Sequence, residues 1–97
     1  MLLGRIKQLR EELNVQQRQM ADAIGVDAPM YSRIERGIRP FRDEYIEPMA
    51  KILMVDEDEL RSLWTADKII NVTKDESDSV AQRALHLAKS EIKTNPD

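Results

Sequence analysis

The 97-residue chain contains no cysteine, one histidine and only four aromatic residues. The absence of cysteine excludes disulfide bonds and thiolate metal sites. A single imidazole, that of His86, argues against most histidine-based metal sites, so we expect no metal and no cofactor. With so few aromatic side chains, a core must consist mainly of Leu, Ile, Val, Met and Ala.

The sequence also lacks an apolar run long enough to cross a bilayer and the apolar N-terminal stretch of a signal peptide. We therefore predict a soluble, cytoplasmic protein. Its length allows one small domain and an appendage, but not two substantial cores.

Patterns typical of an enzyme are missing as well. There is no nucleophile–base pair, no cluster of metal ligands and no glycine-rich phosphate loop. The carboxylates that would remain for acid–base chemistry lie where helix caps and solvated faces are expected. The sequence therefore predicts a protein that is not an enzyme.

Charge is distributed unevenly, although the net charge is only −3. Residues 1–42 contain eight Lys or Arg against five acids, whereas residues 43–97 contain seven against thirteen. A basic N-terminal part is what a local nucleic-acid contact surface requires. A solvated domain without such a surface can show the same asymmetry, so charge alone does not decide the function.

Apolar residues recur at helical spacing and no strand alternation stands out, which predicts an all-α fold. Pro48 requires the fourth helix either to kink or to begin near Ile46, because proline is poorly tolerated inside a helix. The predicted helices cover residues 2–12, 17–24, 28–36, 43 or 46 to 53, 57–71 and 78–92. A polar linker near residues 74–78 divides the chain into a domain of residues 1–72 and an appendage of residues 73–97. We expect Thr94 to Asp97 to be frayed.

The same spacing predicts which side chains face the core. They are Ile6, Leu9, Leu13, Met20, Ala21, Ile24, Val26, Tyr31, Ile34, Ile46, Met49, Ala50, Leu53, Met54, Leu60, Leu63 and Trp64. His86 is predicted to lie exposed on the last helix.

Residues 17–36 satisfy the requirements of a helix-turn-helix. Two short helices that cross steeply need a small residue, here Ala21, and a turn residue that tolerates positive φ, here Gly25. Val26, Tyr31 and Ile34 supply apolar contacts that lock the crossing angle. Such a motif leaves the outer face of its second helix free to enter a major groove.

The stretch QMADAIGVDAPMYSRIERGIRP resembles the Xre/Cro group of lambda-repressor-like helix-turn-helix regulators. RIKQLREELNV and MAKILMVDEDEL fit the first, fourth and fifth helices of that family, so the similarity covers roughly residues 3–64. The resemblance implies a five-helix DNA-binding domain, here followed by an extra C-terminal helix. It also implies a transcription regulator, which we expect to be a repressor.

The resemblance further implies roles for individual residues. Gln17 and the first amides of its helix would bind a phosphate, and Glu35 would pair with Arg10 in a structural role. Arg33 is the best candidate for base readout, since guanidinium pairs bidentately with guanine. Ala28, Pro29, Met30 and Ser32 occupy the base-facing positions, with thymine methyl contacts expected for Ala28 and Met30, and Arg18, Arg36 and Arg39 are candidates for the phosphate backbone.

The second motif helix opens with Asp27-Ala28-Pro29-Met30, a tip with no side-chain hydrogen-bond donor. Asp27 is best explained as a helix cap, and Pro29 favours a first turn. Pro29 also disfavours helical dihedrals at Ala28, so a start one residue later is the alternative. In either case hydrogen-bonded readout is expected one turn further along, at Ser32 and Arg33.

One such motif reads only a few base pairs, so we expect a homodimer on a two-fold site in double-stranded DNA. The C-terminal helix carries an apolar stripe that must dock, and it can dimerise, fold back or bind another protein. An antitoxin-like or other protein-interaction module, whose main partner binds the C-terminal region, is the alternative function.

Overall fold

The structure, a computed structural model, describes residues 1–92, and the regular secondary structure within them is entirely helical. This confirms the predicted all-α class. The elements are α1 (Leu2–Glu12), α2 (Gln17–Ile24), α3 (Ala28–Glu35), a 3-10 turn (Asp43–Tyr45), α4 (Ile46–Ile52), α5 (Glu57–Thr73) and α6 (Asp78–Glu91). The predicted fraying of Thr94 to Asp97 lies outside the described residues.

The chain divides into two compact units, and the boundary falls within α5. The first unit, Met1–Asp67, contains α1 to α4 and most of α5. The second unit begins at Lys68 and contains the end of α5 and α6. No helix within residues 1–92 combines the length and apolarity needed to cross a bilayer.

The first unit surrounds a single apolar core to which every one of its helices contributes. Its buried side chains are Leu2, Ile6, Leu9, Met20, Ala21, Tyr31, Ile34, Tyr45, Ile46, Met49, Ala50, Leu53 and Leu60. Most of these positions follow from the helical spacing. Leu13 was predicted to face inward but is 42% exposed, because α1 ends at Glu12 and the backbone turns away.

Four consecutive helices of the first unit end with a residue in the left-handed conformation. These residues are Asn14 (φ 55°), Gly25 (φ 76°), Gly37 (φ 78°) and Met54 (φ 58°). In each case the next residue is apolar, and its N–H donates to a carbonyl five residues earlier: Val15 to Arg10, Val26 to Ala21, Ile38 to Arg33 and Val55 to Ala50, at 2.8–3.0 Å. Such ends satisfy helix carbonyls and reverse the chain sharply, which is how short helices enclose a small core.

Met54 contradicts the prediction that it belongs to the core, since its side chain is 81% exposed. The left-handed backbone at this position turns Met54 outward, while Leu53 on one side is buried and Val55 on the other packs against the core. Helical spacing therefore fails here because the helix has already ended.

Three predicted helix boundaries are resolved by the structure. α4 begins at Ile46, after the 3-10 turn, so Pro48 lies in its first turn, where no helical hydrogen bond is lost. α3 ends at Glu35, one residue before the predicted end, and Arg36 caps it. α5 extends to Thr73, and α6 begins at Asp78 after the cap Ser77, whose Oγ accepts from the N–H of Val80 at 3.2 Å.

α5 is joined to α1 at two places within the first unit. The carboxylate of Asp67 accepts a hydrogen bond from the N–H of Leu2 at 3.0 Å, at the positive end of the α1 dipole. Arg5 pairs with Glu59 at 3.1 Å. These contacts hold the N-terminal turn of α1 against α5 and so close one side of the core.

The left-handed backbone at Met54 predicts that glycine is better tolerated there than methionine. An L-residue in this conformation costs roughly 1–2 kcal/mol, part of which is offset by the greater freedom of glycine in the unfolded chain. We expect Met54→Gly to raise the free energy of unfolding by about 1 kcal/mol, seen as a higher midpoint in thermal denaturation. Met54→Ala retains the Cβ atom and is the matched control; an equal gain from both variants would contradict the backbone explanation.

Candidate nucleic-acid interface

The corner between α2 and α3 depends on a small side chain followed by a left-handed glycine. Ala21 is only 1% exposed, and its carbonyl accepts the N–H of Val26 at 3.0 Å. Gly25 takes the positive φ that makes this bond possible, and Val26 packs against the core. A larger residue at Ala21 would therefore push α3 away from α2.

The N-terminal end of α3 is capped by a side chain. Asp27 has extended backbone dihedrals, and its Oδ1 accepts the N–H of Met30 at 2.8 Å. The helix begins at Ala28, with Pro29 in the first turn, so the alternative start one residue later is wrong. The strong cap at Asp27 outweighs the bias that proline exerts on the residue before it.

One stripe of α3 faces solvent, and we call it the reading face: Pro29, Ser32, Arg33 and Arg36. Pro29, Arg33 and Arg36 are exposed and Ser32 is half-buried. Their spacing of three and four residues places them on one side of the helix.

Met30 does not share this face as predicted from the sequence. Its side chain is half-buried and packs against the core. It lies beside Ile34, Arg39 and Tyr45 in a small recess between α3 and the loop that follows. Ala28, at the tip of the helix, is half-buried as well.

The arginines near α3 differ in what holds them. The guanidinium groups of Arg18, Arg33 and Arg39 are exposed and make no hydrogen bond or ion pair with any residue in the described part of the chain. Arg36 donates from Nε to the carbonyl of Ser32 at 3.3 Å, which directs its side chain along the helix. Arg33 and Arg36 thus give the reading face a positive charge that no neighbouring carboxylate within residues 1–92 neutralises.

The loop after α3 is anchored by aromatic side chains. Phe41 packs edge-on against Tyr45, with ring centroids 5.6 Å apart, and against Trp64 at 5.4 Å. This contact joins the loop that carries Arg39 to α5 and to the 3-10 turn. The backbone around Arg39 is therefore held in a defined position although its side chain is exposed.

A buried carboxylate connects the motif helices to α1. Glu35 is 8% exposed, and its two oxygens receive a bidentate ion pair from Arg10, at 2.9 and 3.0 Å. The hydroxyl of Tyr31 donates to Oε2 at 2.7 Å, and the amide of Gln17 donates to Oε1 at 3.3 Å. We call Arg10, Gln17, Tyr31 and Glu35 the Glu35 cluster. It contains the Arg10–Glu35 pair that the family resemblance implies.

The position of Gln17 gives it two possible tasks. Its side chain is half-buried, and one hydrogen of its amide group is directed to Glu35. A side-chain amide carries two hydrogens, so the second remains available to an acceptor outside the protein. Gln17 also occupies the first position of α2, where the backbone amides have no intrahelical acceptor.

The electrostatics of the Glu35 cluster favour the charged carboxylate. Burial by itself would raise the pKa of Glu35, but the hydrogen bonds from Arg10, Tyr31 and Gln17 and the charge of Arg10 outweigh it and lower that pKa. Burial, followed by the hydrogen bond to Glu35, raises the pKa of Tyr31, so the phenol remains a donor. The hydrogen bond to Glu35 raises the pKa of Arg10.

Two polar contacts of this region, Tyr31 to Glu35 and Gln16 to Gln19, were not predicted from the sequence. Tyr31 was assigned only an apolar role, although it lies four residues before Glu35, a helical spacing that brings the two side chains together. The cap of α2 is Gln16, whose backbone N–H donates to the side chain of Gln19 at 2.8 Å. The spacing of a polar residue and a glutamine three positions later is a capping signature that could have revealed it.

Comparison with known families decides what this arrangement is. The helix-turn-helix family HTH_3, which groups Xre and lambda-repressor-like domains, matches residues 6–60. The chain belongs to this family. The match covers α1 from Ile6 onward, α2 to α4 and the first turn of α5, and so includes the whole Glu35 cluster and the reading face.

As a member of this helix-turn-helix family, the chain is a DNA-binding regulator, and the predicted family is confirmed. No curated protein and no solved structure matches the chain significantly. Within residues 1–92, no group of three or more His, Asp or Glu side chains is arranged to hold a metal ion.

The Glu35 cluster predicts a particular dependence of stability on pH. Because the pKa of Glu35 is lowered in the folded state, its contribution is present above the ordinary value of 4.5 and is lost as the pH falls below that value. We expect Glu35→Gln to lower the free energy of unfolding by about 3 kcal/mol at neutral pH, since it leaves Arg10 without its counter-charge.

The same variant should show a smaller loss of stability between neutral pH and pH 3 than the unaltered chain, measured by urea denaturation. Glu11→Gln, which removes an exposed carboxylate from α1, is the control and should preserve the acid dependence. An unchanged acid dependence in Glu35→Gln would contradict the assigned role of Glu35.

Proposed function

We propose that the protein is a sequence-specific repressor that binds DNA as a homodimer, with α3 lying in the major groove. The observation that carries the proposal is the reading face, where Arg33 and Arg36 are exposed. The helix that bears them is fixed at its two ends and on its buried side. Asp27 caps its start, Gly37 ends it, and the Glu35 cluster fixes its orientation. A rigid helix with a basic outer face is what major-groove binding requires.

Arg33 is the residue assigned to base readout. It lies in the centre of the reading face, and its guanidinium group has no partner in the described residues. A free guanidinium can donate two parallel hydrogen bonds to guanine, which discriminates by roughly 1–3 kcal/mol against other bases. Ser32, one residue earlier, is assigned a hydrogen bond to a base or a phosphate.

The tip of α3 is assigned contacts of a different kind. Ala28 and Pro29 offer carbon atoms and no side-chain donor, so they suit thymine methyl groups and the shape of the groove. Met30 is half-buried against the core, and its proposed contact with a methyl group therefore involves only its exposed atoms. Specificity at these positions should be weaker than at the base that Arg33 reads.

Contacts with the phosphate backbone are assigned to residues that precede α3 in the chain and to residues at and after its C-terminal end. Arg36 lies at the C-terminal end of the reading face, and Arg39 lies on the anchored loop that follows it. Arg18 and Gln17 lie at the start of α2, where free backbone amides and the helix dipole favour an anion. Because Gln17 also donates to Glu35, a phosphate bound there would contact the Glu35 cluster directly.

A homodimer and repression complete the proposal. One motif reads only a few base pairs, so two copies on a two-fold site are needed for useful selectivity. Repression needs nothing beyond occupation of that site by the DNA-binding domain of residues 1–72.

Substitutions of Arg33 and Arg39 should distinguish the recognition of a base from sequence-independent attraction to the phosphate backbone. Arg33→Ala should reduce the preference for one base pair in sequences selected from random DNA, because a bidentate contact is lost. Arg39→Ala should weaken binding to all sequences about equally and reduce the dependence of affinity on salt by about one ion. Lys51→Ala, which removes an exposed positive charge from α4, is the control and should change neither property; a uniform effect of Arg33→Ala would assign that residue to phosphate.

The spacing of half-sites tests the two-fold arrangement. Two motifs on one face of the duplex should be separated by about one helical turn, or 10–10.5 base pairs, about 34 Å, or by a multiple of it. Insertion of about five base pairs between selected half-sites rotates one half-site to the opposite face of the duplex. Affinity should then fall to that of a single half-site, measured by fluorescence anisotropy; insertion of a full turn should restore it in part.

A further inference from the structure

The second unit has no buried side chain among residues 68–92. Its large apolar residues are between 42% and 74% exposed, and they lie on both of its helical segments: Ile69, Ile70, Val72, Val80, Leu85, Leu87 and Ile92. This is unusual, because a soluble helix normally buries its apolar stripe against another element. The first unit, by contrast, encloses a complete core.

Four of these exposed residues, Ile69, Val72, Leu85 and Ile92, line a groove between the end of α5 and α6, which we call the α5–α6 groove. Its lining is almost wholly apolar and comprises Ile69, Val72, Thr73, Ala84, Leu85, Ala88, Lys89 and Ile92. Ala84 and Ala88 form a stretch of small residues in the middle of α6, and a further helix can approach closely there.

A helical pair of this size requires an additional source of stability. Units below about 40 residues normally rely on disulfides, metals or association. The chain has no cysteine, and residues 1–92 contain no arrangement of ligands suited to a metal. Association is the remaining source.

We propose that the α5–α6 groove is covered by the same groove of a second copy of the chain, in a two-fold pair whose α6 helices run antiparallel. This interface deepens the proposed function and rests on it, since a homodimer on a two-fold operator requires such a contact.

The charges of the second unit favour a second copy over a partner of opposite charge. Residues 68–92 contain four basic and four acidic side chains, so the unit is neutral overall. Residues 74–78 carry three acids and one lysine, whereas residues 79–91 carry Arg83 and Lys89 against Glu91. In an antiparallel pair centred near Leu85, Lys89 of one copy lies opposite Ala81 of the other and within one helical turn of its Asp78, so opposite charges come within reach of each other at both ends.

The available area agrees with a weak dimer. The four exposed apolar side chains that line the groove present on the order of 400 Å² per copy, so a pair would cover roughly 800–900 Å², the size of a weak and transient interface. We therefore expect dimerisation that depends on concentration in the micromolar range and is strengthened when both copies bind one operator.

Sedimentation velocity of the full chain, without DNA and over a range of concentrations, tests the interface. The unaltered chain should shift from monomer to dimer, whereas Leu85→Glu should remain a monomer because it places a charge in the groove. His86→Glu adds the same charge next to it, on the face of α6 away from the groove, and is the matched control; it should dimerise. Ala88→Glu provides a second groove variant, and circular dichroism reports whether the variants keep their helices.

The alternative occupants give distinct results, each of which would overturn the proposal. A monomer at all concentrations whose thermal stability falls with Leu85→Glu indicates that the groove is covered within the chain. A monomer whose stability is unaffected leaves the groove to a different protein. A dimer that Leu85→Glu and Ala88→Glu do not disrupt uses another surface.

DNA binding separates this inference from the proposed function. Leu85→Glu should bind a single half-site with the affinity of the unaltered chain and lose the added affinity of the two-fold site. If no DNA sequence is bound, the proposed function fails, while sedimentation without DNA still decides whether the groove forms the dimer.

Discussion

The buried carboxylate of Glu35 is the interaction on which the arrangement of the motif depends. A charge removed from water must be matched by donors, and here the donors come from α1, α2 and α3 itself. Each helix is too short to be stable alone, so their relative orientation must come from tertiary contacts. Arg10 and Gln17 donate to Glu35 on the buried face of α3, while the opposite face remains exposed to solvent. Directional hydrogen bonds thus specify an angle that apolar packing alone would leave less well defined.

The surface of the motif shows how an acidic protein can bind an acidic polymer. Net charge describes the chain as a whole, but binding depends on the potential where the two surfaces meet. Within α3 and its N-terminal cap there are two acids: Asp27 is engaged as the cap, and Glu35 is buried and paired. The arginines of the same region remain exposed. The excess of carboxylates lies in the C-terminal half of the sequence.

Much of the fold follows from local sequence patterns. The predictions that failed concern positions where the backbone or a distant segment, rather than local spacing, determines the environment. Helical spacing and Gly25 predicted the motif because each acts within a few residues. The prediction that Met54 is buried was wrong, because a methionine gives no sign in the sequence of a left-handed backbone. At Gly25 and Gly37 the glycine itself indicates that conformation. Met30 was placed on the exposed face because its spacing from Arg33 does not reveal that the following loop packs over it. The hydrogen bond from Gln17 to Glu35 joins residues 18 positions apart, beyond the reach of local reasoning.

The incomplete packing of the second unit bears on how such a regulator responds to its own abundance. A small apolar contact gives a dimer that dissociates at modest dilution, so the concentration of dimer varies with the square of the chain concentration when monomer predominates. Occupation of a two-fold operator then rises more steeply than a single binding site would allow. An extensive, permanently closed interface would remove this steepness. In the proposed dimer, the exposed apolar side chains of the α5–α6 groove would therefore set the chain concentration at which the operator is occupied.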